Sequence, residues 1–216
     1  MIILIRTKKT IKVLGDGFMS KNDLVMELIE KNNGVITSFE AKAKGINNKT
    51  LQRMEKLGQI ERVEHGLYMD PNQMEDEYFL TLYRCKKGIF SHETALYFHE
   101  LTDRTPFQIM MTIPSGYNTR LLKDKEKYKF FYVVEELHSI GKIIMETPYG
   151  HQVYVYDKER TICDCLKKKE QLDGDLVTEA VKRYLKTPGT DYAKLIKYAE
   201  VFNIKDLVRK YLEVLT

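Results

Sequence analysis

Residues 22–71 read NDLVMELIEKNNGVITSFEAKAKGINNKTLQRMEKLGQIERVEHGLYMDP, and this stretch decides the fold. Leu24, Val25, Leu28 and Ile29 recur at helical spacing, which gives a first helix one apolar face. Gly34 ends it. Thr37 stands three residues before Glu40, a capping-box pattern that starts a second, short helix. Phe39 and Ala43 are its expected packing residues, and Gly45 stops it. Asn47 is the expected N-cap of a third helix, with Leu51, Met54 and Leu57 facing the core and Gly58 at its end. Ile60-Glu61-Arg62-Val63 then pairs with Leu67-Tyr68-Met69 across a turn at His65-Gly66. Three helices followed by a hairpin predict a winged helix-turn-helix over residues 19–71. In such a module one helix enters the major groove of a duplex and the hairpin touches the flanking backbone.

The outer side of the third helix carries the chemistry. Gln52 can bond adenine and Arg53 can bond guanine, each through two hydrogen bonds, while Lys49 and Lys56 suit phosphates. Asn48 and Thr50, near the helix start, can reach base or backbone, and Arg62 and His65 on the hairpin suit backbone or minor-groove contact. Charged residues on a helix are most often only a solvated face. The helix-turn-helix-wing order favours a DNA-binding surface, with a protein-interaction module as the competing reading.

Bulk charge does not decide between them. The net charge is +4, but residues 20–70 hold eight bases and eight acids, and residues 71–216 hold 23 bases and 22 acids. Residues 1–19 carry Arg6, Lys8, Lys9 and Lys12 against Asp16. The apolar run at Met1–Ile5 is too short for a secretory signal and precedes its positive charges. Leu14-Gly15-Asp16 can be encoded by a purine-rich string resembling a ribosome-binding site upstream of Met19. Residues 1–18 are therefore expected to be a non-native leader or a disordered extension. No apolar run reaches membrane-spanning length. Three cysteines (Cys85, Cys163, Cys165) without C-x-x-C spacing suggest a reducing cytoplasm and neither a disulfide framework nor a zinc finger.

Beyond Pro71 the pattern changes to that of a mixed α/β domain over residues 72–216, with a mostly helical tail. Met74 to Lys87 has helical spacing, with Tyr78, Leu82 and Cys85 on one side. Ser91 is expected to cap a helix running to about Thr102. Strand character follows at residues 108–113, 130–134, 142–146 and 152–156, the last two joined through Thr147-Pro148-Tyr149-Gly150. Four helical segments complete the chain: ERTICDCLKK, LVTEAVKRYL, DYAKLIKYAEVF and IKDLVRKYLEVL.

Two blocks in this region carry a resemblance. The first comprises Ser91, His92, Ala95, Leu96, His99, Leu101, Thr102, Asp103 and Pro106, and the second Glu159, Arg160, Thr161, Asp164 and Leu166. With the hairpin stretch from Leu57 through Tyr68, they make residues 20–216 similar to the AbiEi family of antitoxins. The resemblance implies a type IV abortive-infection toxin–antitoxin system. In that family the winged module binds inverted repeats of the operon's promoter and represses it. The carboxy-terminal domain neutralises a nucleotidyltransferase-like toxin without requiring a stable complex. Partners implied are thus double-stranded operator DNA and such a toxin, with the protein monomeric in solution or pairing cooperatively on DNA. The alternative is a stand-alone regulator whose second domain senses a ligand or partner.

Individual residues add limits. His92 and His99 lie seven apart, which does not fit H-E-x-x-H zinc binding, and they read as capping or packing histidines on one face. Arg160 and Asp164 stand at i, i+4 and are expected to form a structural ion pair. Arg120, Lys123, Lys125, Lys127 and Lys129, interleaved with Tyr117, Asn118 and Tyr128, form a candidate accessory nucleic-acid patch, diluted by Asp124 and Glu126. Lys167-Lys168-Lys169 reads as a cation group at a helix C-terminus. No [DE]-x-K nuclease signature occurs after residue 70, nor a phosphate-binding glycine loop or G-x-S-x-G. No enzymatic activity, metal or cofactor is expected.

Overall fold

The computed structural model describes residues 19–120 and 122–215; the expectation for residues 1–18 lies outside them. The architecture is mixed α+β, with two separate sheets, and the chain divides into two units between Met74 and Glu75.

The first unit runs α1 (Lys21–Lys31), β1 (Val35–Thr37), α2 (Ser38–Ala43), α3 (Asn48–Lys56), β2 (Glu61–Glu64) and β3 (Leu67–Met69). Its helix starts are written in side chains. Ser20 and Asp23 form a capping box on α1, and Thr37 and Glu40 form the expected one on α2. The Asn47 side chain accepts from the Thr50 N–H at 2.9 Å, capping α3. Each cap satisfies donors that the first helical turn leaves orphaned. Strand β3 lies between β1 and β2, antiparallel to both, so that Ile36 pairs with Tyr68 and Arg62 with Tyr68 from the other side. The core joins Val25, Ile29, Ile36, Ala41, Ile46, Leu51, Met54, Ile60 and Tyr68.

Two packing expectations are corrected here. Phe39 is 82% exposed and Ala43 is exposed, whereas Ala41 is fully buried. Phe39 and Ala43 do share a face, but the capping box fixes the helix phase so that this face turns outward. The small Ala41 then sits in the core. Leu57 is 65% exposed. It occupies the C-cap of α3, outside the helical phase, and the chain reverses at Gly58 with φ of 66°.

The second unit contains α4 (Glu77–Arg84), β4 (Ile89–Phe90), α5 (His92–Phe98), β5 (Ile109–Pro114), β6 (Tyr128–Val133), α6 (Glu135–His138), β7 (Lys142–Glu146) and β8 (Gln152–Tyr156). It ends with α7 (Lys158–Lys167), α8 (Gly174–Lys186), α9 (Tyr192–Val201) and α10 (Lys205–Leu215). The strand order is β6-β5-β4-β8-β7; β5–β6 and β4–β8 are parallel, and β4–β5 and β7–β8 antiparallel. Tyr78, Leu82 and Cys85 pack as expected with sheet residues such as Phe90, Met111 and Val155. Helix α7 is buried from Glu159 to Leu166 and packs against α5, α8, α9 and α10.

Helix α5 stops at Phe98, short of the expected Thr102, and Ser91 stands at its N-cap without a capping hydrogen bond. Glu100, with a left-handed φ of 58°, follows its C-cap, and His92 at its start has a left-handed φ of 51°. The Ser91 hydroxyl instead lies 2.9 Å from His92 Nδ1 and accepts from the Thr112 hydroxyl at 2.9 Å.

Candidate nucleic-acid interface

Helix α3 has two chemically distinct sides. Thr50, Leu51 and Met54 are buried, and Asn48, Lys49, Gln52, Arg53 and Lys56 are exposed. The exposed set follows i, i+4 spacing, so the five side chains form one polar face. Thr50 departs from the sequence reading. It is 8% exposed and its hydroxyl donates to Asn47 Oδ1 at 3.1 Å, because the cap draws it inward. Arg53 is exposed but held: its Nη2 donates to Asn22 Oδ1 of α1 at 2.8 Å.

The β2–β3 hairpin presents Arg62 and His65, both exposed. Arg62 Nη2 lies 2.9 Å from His65 Nδ1, and its Nε donates to the Glu64 carbonyl at 3.3 Å. Arg62 therefore lies folded along the turn. A register shift between Arg62 and Glu64 bulges β2 at that point, and Gly66, with φ of 76°, closes it. The Gly66 carbonyl accepts from the Ser38 N–H at 2.7 Å, tying the hairpin tip to the start of α2. Phe39, one residue on, is an exposed aromatic that the sequence reading assigned to the core.

These elements coincide with a family match. Residues 23–69 match the family model described as transcriptional regulator, AbiEi antitoxin. The AbiEi resemblance stands on this module. No curated protein matches the chain. The family so described is a regulatory antitoxin family and not an enzyme family.

The two sequence blocks of the second unit are largely architectural. Arg160 is fully buried. Its Nε donates to Asp164 at 2.9 Å, its Nη1 donates to the Leu137 and Ile140 carbonyls at 2.9 Å each, and its guanidinium lies 4.2 Å from the Tyr156 ring centroid and 4.0 Å from that of Phe202. The expected ion pair is thus the hub that joins α7 to the turn at residues 137–140. Gly141 is required there, because a Cβ would meet the Arg160 Cβ at 2.7 Å. His92 is buried and stacks on Phe131 at 3.5 Å, and burial holds its pKa well below the ordinary histidine value. His99, the C-cap of α5, lies 2.6 Å through Nε2 from the Tyr156 carbonyl oxygen. The two histidines engage different strands and do not converge. Cys163 and Cys165 are buried, and burial raises both thiols above their ordinary range. Lys167 and Lys169 bond the Phe202 carbonyl and the Tyr211 hydroxyl, so this lysine run fastens helices together.

The five-cation patch separates into parts. Lys127 pairs with Glu77, and Lys129 donates to the Gln171 carbonyl at 2.5 Å. Strand alternation puts Lys129 with Phe131 on one face of β6 and Tyr128, Phe130 and Tyr132 on the other. Arg120, Lys123 and Lys125 remain together along a groove of about 520 Å³.

Among the described residues no helix is long and apolar enough to cross a membrane.

Proposed function

We propose that the first unit is a winged helix-turn-helix that reads double-stranded operator DNA, and that the chain is a cytoplasmic antitoxin and transcriptional autorepressor. One observation carries the reading: within the stretch matching the AbiEi regulator model, α3 turns Lys49, Gln52, Arg53 and Lys56 outward beside the β2–β3 hairpin. Helix α3 enters the major groove. Arg53, with Gln52, reads base edges; Lys49 and Lys56 neutralise phosphates; Arg62 and His65 on the hairpin contact the flanking backbone. Thr50 has no base contact in this scheme, because it is turned into the core. Two molecules on an inverted repeat supply the affinity that one small module lacks. The second unit counters a nucleotidyltransferase-like toxin of a type IV system without a lasting complex.

Gel shift on the protein's own promoter tests the first part. Arg53→Ala should cost about 1–3 kcal/mol on the operator and relax its sequence preference. Lys49→Ala should weaken binding to all sequences alike and lower the salt dependence. Unchanged affinity in both variants would remove α3 from the interface. Co-expression with the neighbouring toxin tests the second part: rescue by the full chain is expected, and growth arrest despite expression would overturn it. The competing reading, a stand-alone regulator with a sensing second domain, draws on the match ending at residue 69, before the second unit begins. A neighbouring nucleotidyltransferase gene favours the antitoxin, and its absence the regulator.

A further inference from the structure

We propose that the groove lined by residues 117–120 and 122–125 on one side and by strand β6 on the other binds single-stranded nucleic acid. Its volume of about 520 Å³ falls within the roughly 300–1,000 Å³ usual for ligand sites. One wall carries Arg120, Lys123 and Lys125; the other carries Tyr128, Phe130 and Tyr132 from alternate positions of β6. The aromatic wall opens outward along the strand. Tyr128 is buried at 7% exposure, Phe130 is half-buried, and Tyr132 is 57% exposed. Strand β6 is an edge of its sheet among the described residues.

The backbone that carries these cations is fixed by hydrogen bonds, while the cationic ends extend from it. Leu122 is buried at 4% exposure and donates its N–H to the Thr119 carbonyl at 2.8 Å. The Asn118 side chain accepts from the Arg120 N–H at 2.9 Å. Gln108 donates to the Lys125 carbonyl at 2.6 Å. Asp124, the acid nearest the lysines in sequence, turns its carboxylate to the N–H groups of Glu126 and Lys127 at 2.9 and 3.2 Å. Its charge is thereby engaged with backbone while the neighbouring lysines stay exposed. Glu126 remains as the exposed opposing charge.

Cations beside an exposed ring fit phosphates next to an unstacked base. Aromatic side chains stack on the open faces of single-stranded bases, and the phosphate backbone follows a basic groove. A duplex offers its phosphates but keeps its base faces closed, which would leave Tyr132 without a role. The inference is independent of α3, since it uses only residues of the second unit.

Fluorescence anisotropy with full-length protein and labelled oligo(U), oligo(dT) and a short duplex lacking the operator tests it. Single strands should bind more tightly than the duplex. Tyr132→Ala should weaken that binding roughly 5- to 150-fold, the range for one stacked base, and Tyr132→Phe should retain it. The double variant Lys123→Glu, Lys125→Glu should lower both the affinity and its salt dependence. A preference for oligo(U) would assign the site to RNA and a preference for oligo(dT) to DNA. Absence of single-strand binding, no effect of Tyr132→Ala, or equal binding of duplex and single strand would each overturn the proposal. Operator gel shift with Tyr132→Ala should match wild type, so failure of the α3 reading appears in a separate assay.

Discussion

Arg53 and Arg160 place the same side chain in opposite settings. Arg160 is sealed between two aromatic rings, with an acid and two carbonyls accepting from it. Arg53 is exposed and, among the described residues, its side chain bonds Asn22. The first is committed to architecture, because any other partner would require opening the core. The second keeps most of its donors toward solvent and is available to a ligand. Motif strength alone does not distinguish the two: the Glu159–Asp164 block looks the more distinctive in sequence, yet it lies inside the protein.

The largest effect should come from breaking the hub. Arg160→Ala leaves Asp164 buried without its partner and should cost about 3–5 kcal/mol. Chemical denaturation followed by circular dichroism measures it. Arg160→Lys should rescue little, because an ammonium cannot lie flat between rings and serve three acceptors at once. A loss below about 1 kcal/mol for Arg160→Ala would show that the site relaxes around the gap, and the architectural assignment would fail.

A second buried group makes the contrast pH-dependent. Asp76 caps α4 and accepts from the Thr147 hydroxyl at 2.5 Å, with His151 Nδ1 at 2.7 Å. Burial pushes its pKa up, but hydrogen bonds from His151, Thr147 and the Phe79 N–H outweigh it, so the pKa lies below the ordinary 3.8. The carboxylate form therefore stabilises the fold fully above that value and loses its effect as pH falls through the folded pKa. Asp76→Ala should cost about 1.5–3 kcal/mol at neutral pH, the scale of hydrogen bonds to a charged group. In thermal melts the gap from wild type should narrow as pH drops below 3.8. A constant gap across that range would deny the carboxylate its role.

The third effect separates what the sequence could reveal from what it could not. The Thr37–Glu40 capping box, glycine stops and the β7–β8 hairpin were legible because each rests on local chemistry within a few residues; the Ser20–Asp23 box on α1 was equally local and was not read. The phase of α2 was not. With six residues there is too little periodicity to choose a face, and the large Phe39 looked a better core residue than Ala41. Strand β1 escaped for a related reason: it has three residues, and Thr37 serves both as its last residue and as the N-cap of α2. On the candidate site, the polar face of α3 was readable from spacing, whereas the inward turn of Thr50 and the division of the lysine patch depend on tertiary packing. Ala41→Leu should therefore overpack the core and cost about 1–3 kcal/mol, while Phe39→Ala should stay within about 0.5 kcal/mol. Denaturation midpoints that reversed this order would restore the sequence-based phase.

The smallest effect sharpens the contrast at its open end. Asn22 accepts from a single nitrogen of Arg53, Nη2, so other donors of the fork remain for a guanine edge. A side chain held in one rotamer before binding loses less conformational freedom on the DNA, a saving of about 0.5–1.5 kcal/mol for a long side chain. Asn22→Ala should thus weaken operator binding roughly two- to tenfold while leaving the denaturation midpoint unchanged, since the bond is exposed. In the double variant with Arg53→Ala the loss should equal that of Arg53→Ala alone, because the other bond of Asn22, to Gln59 at 3.4 Å, holds no residue assigned to the DNA. Tighter binding by Asn22→Ala would mean that the tether competes with DNA. Arg53 would then resemble Arg160 after all, a residue committed to the fold that the ligand must first release.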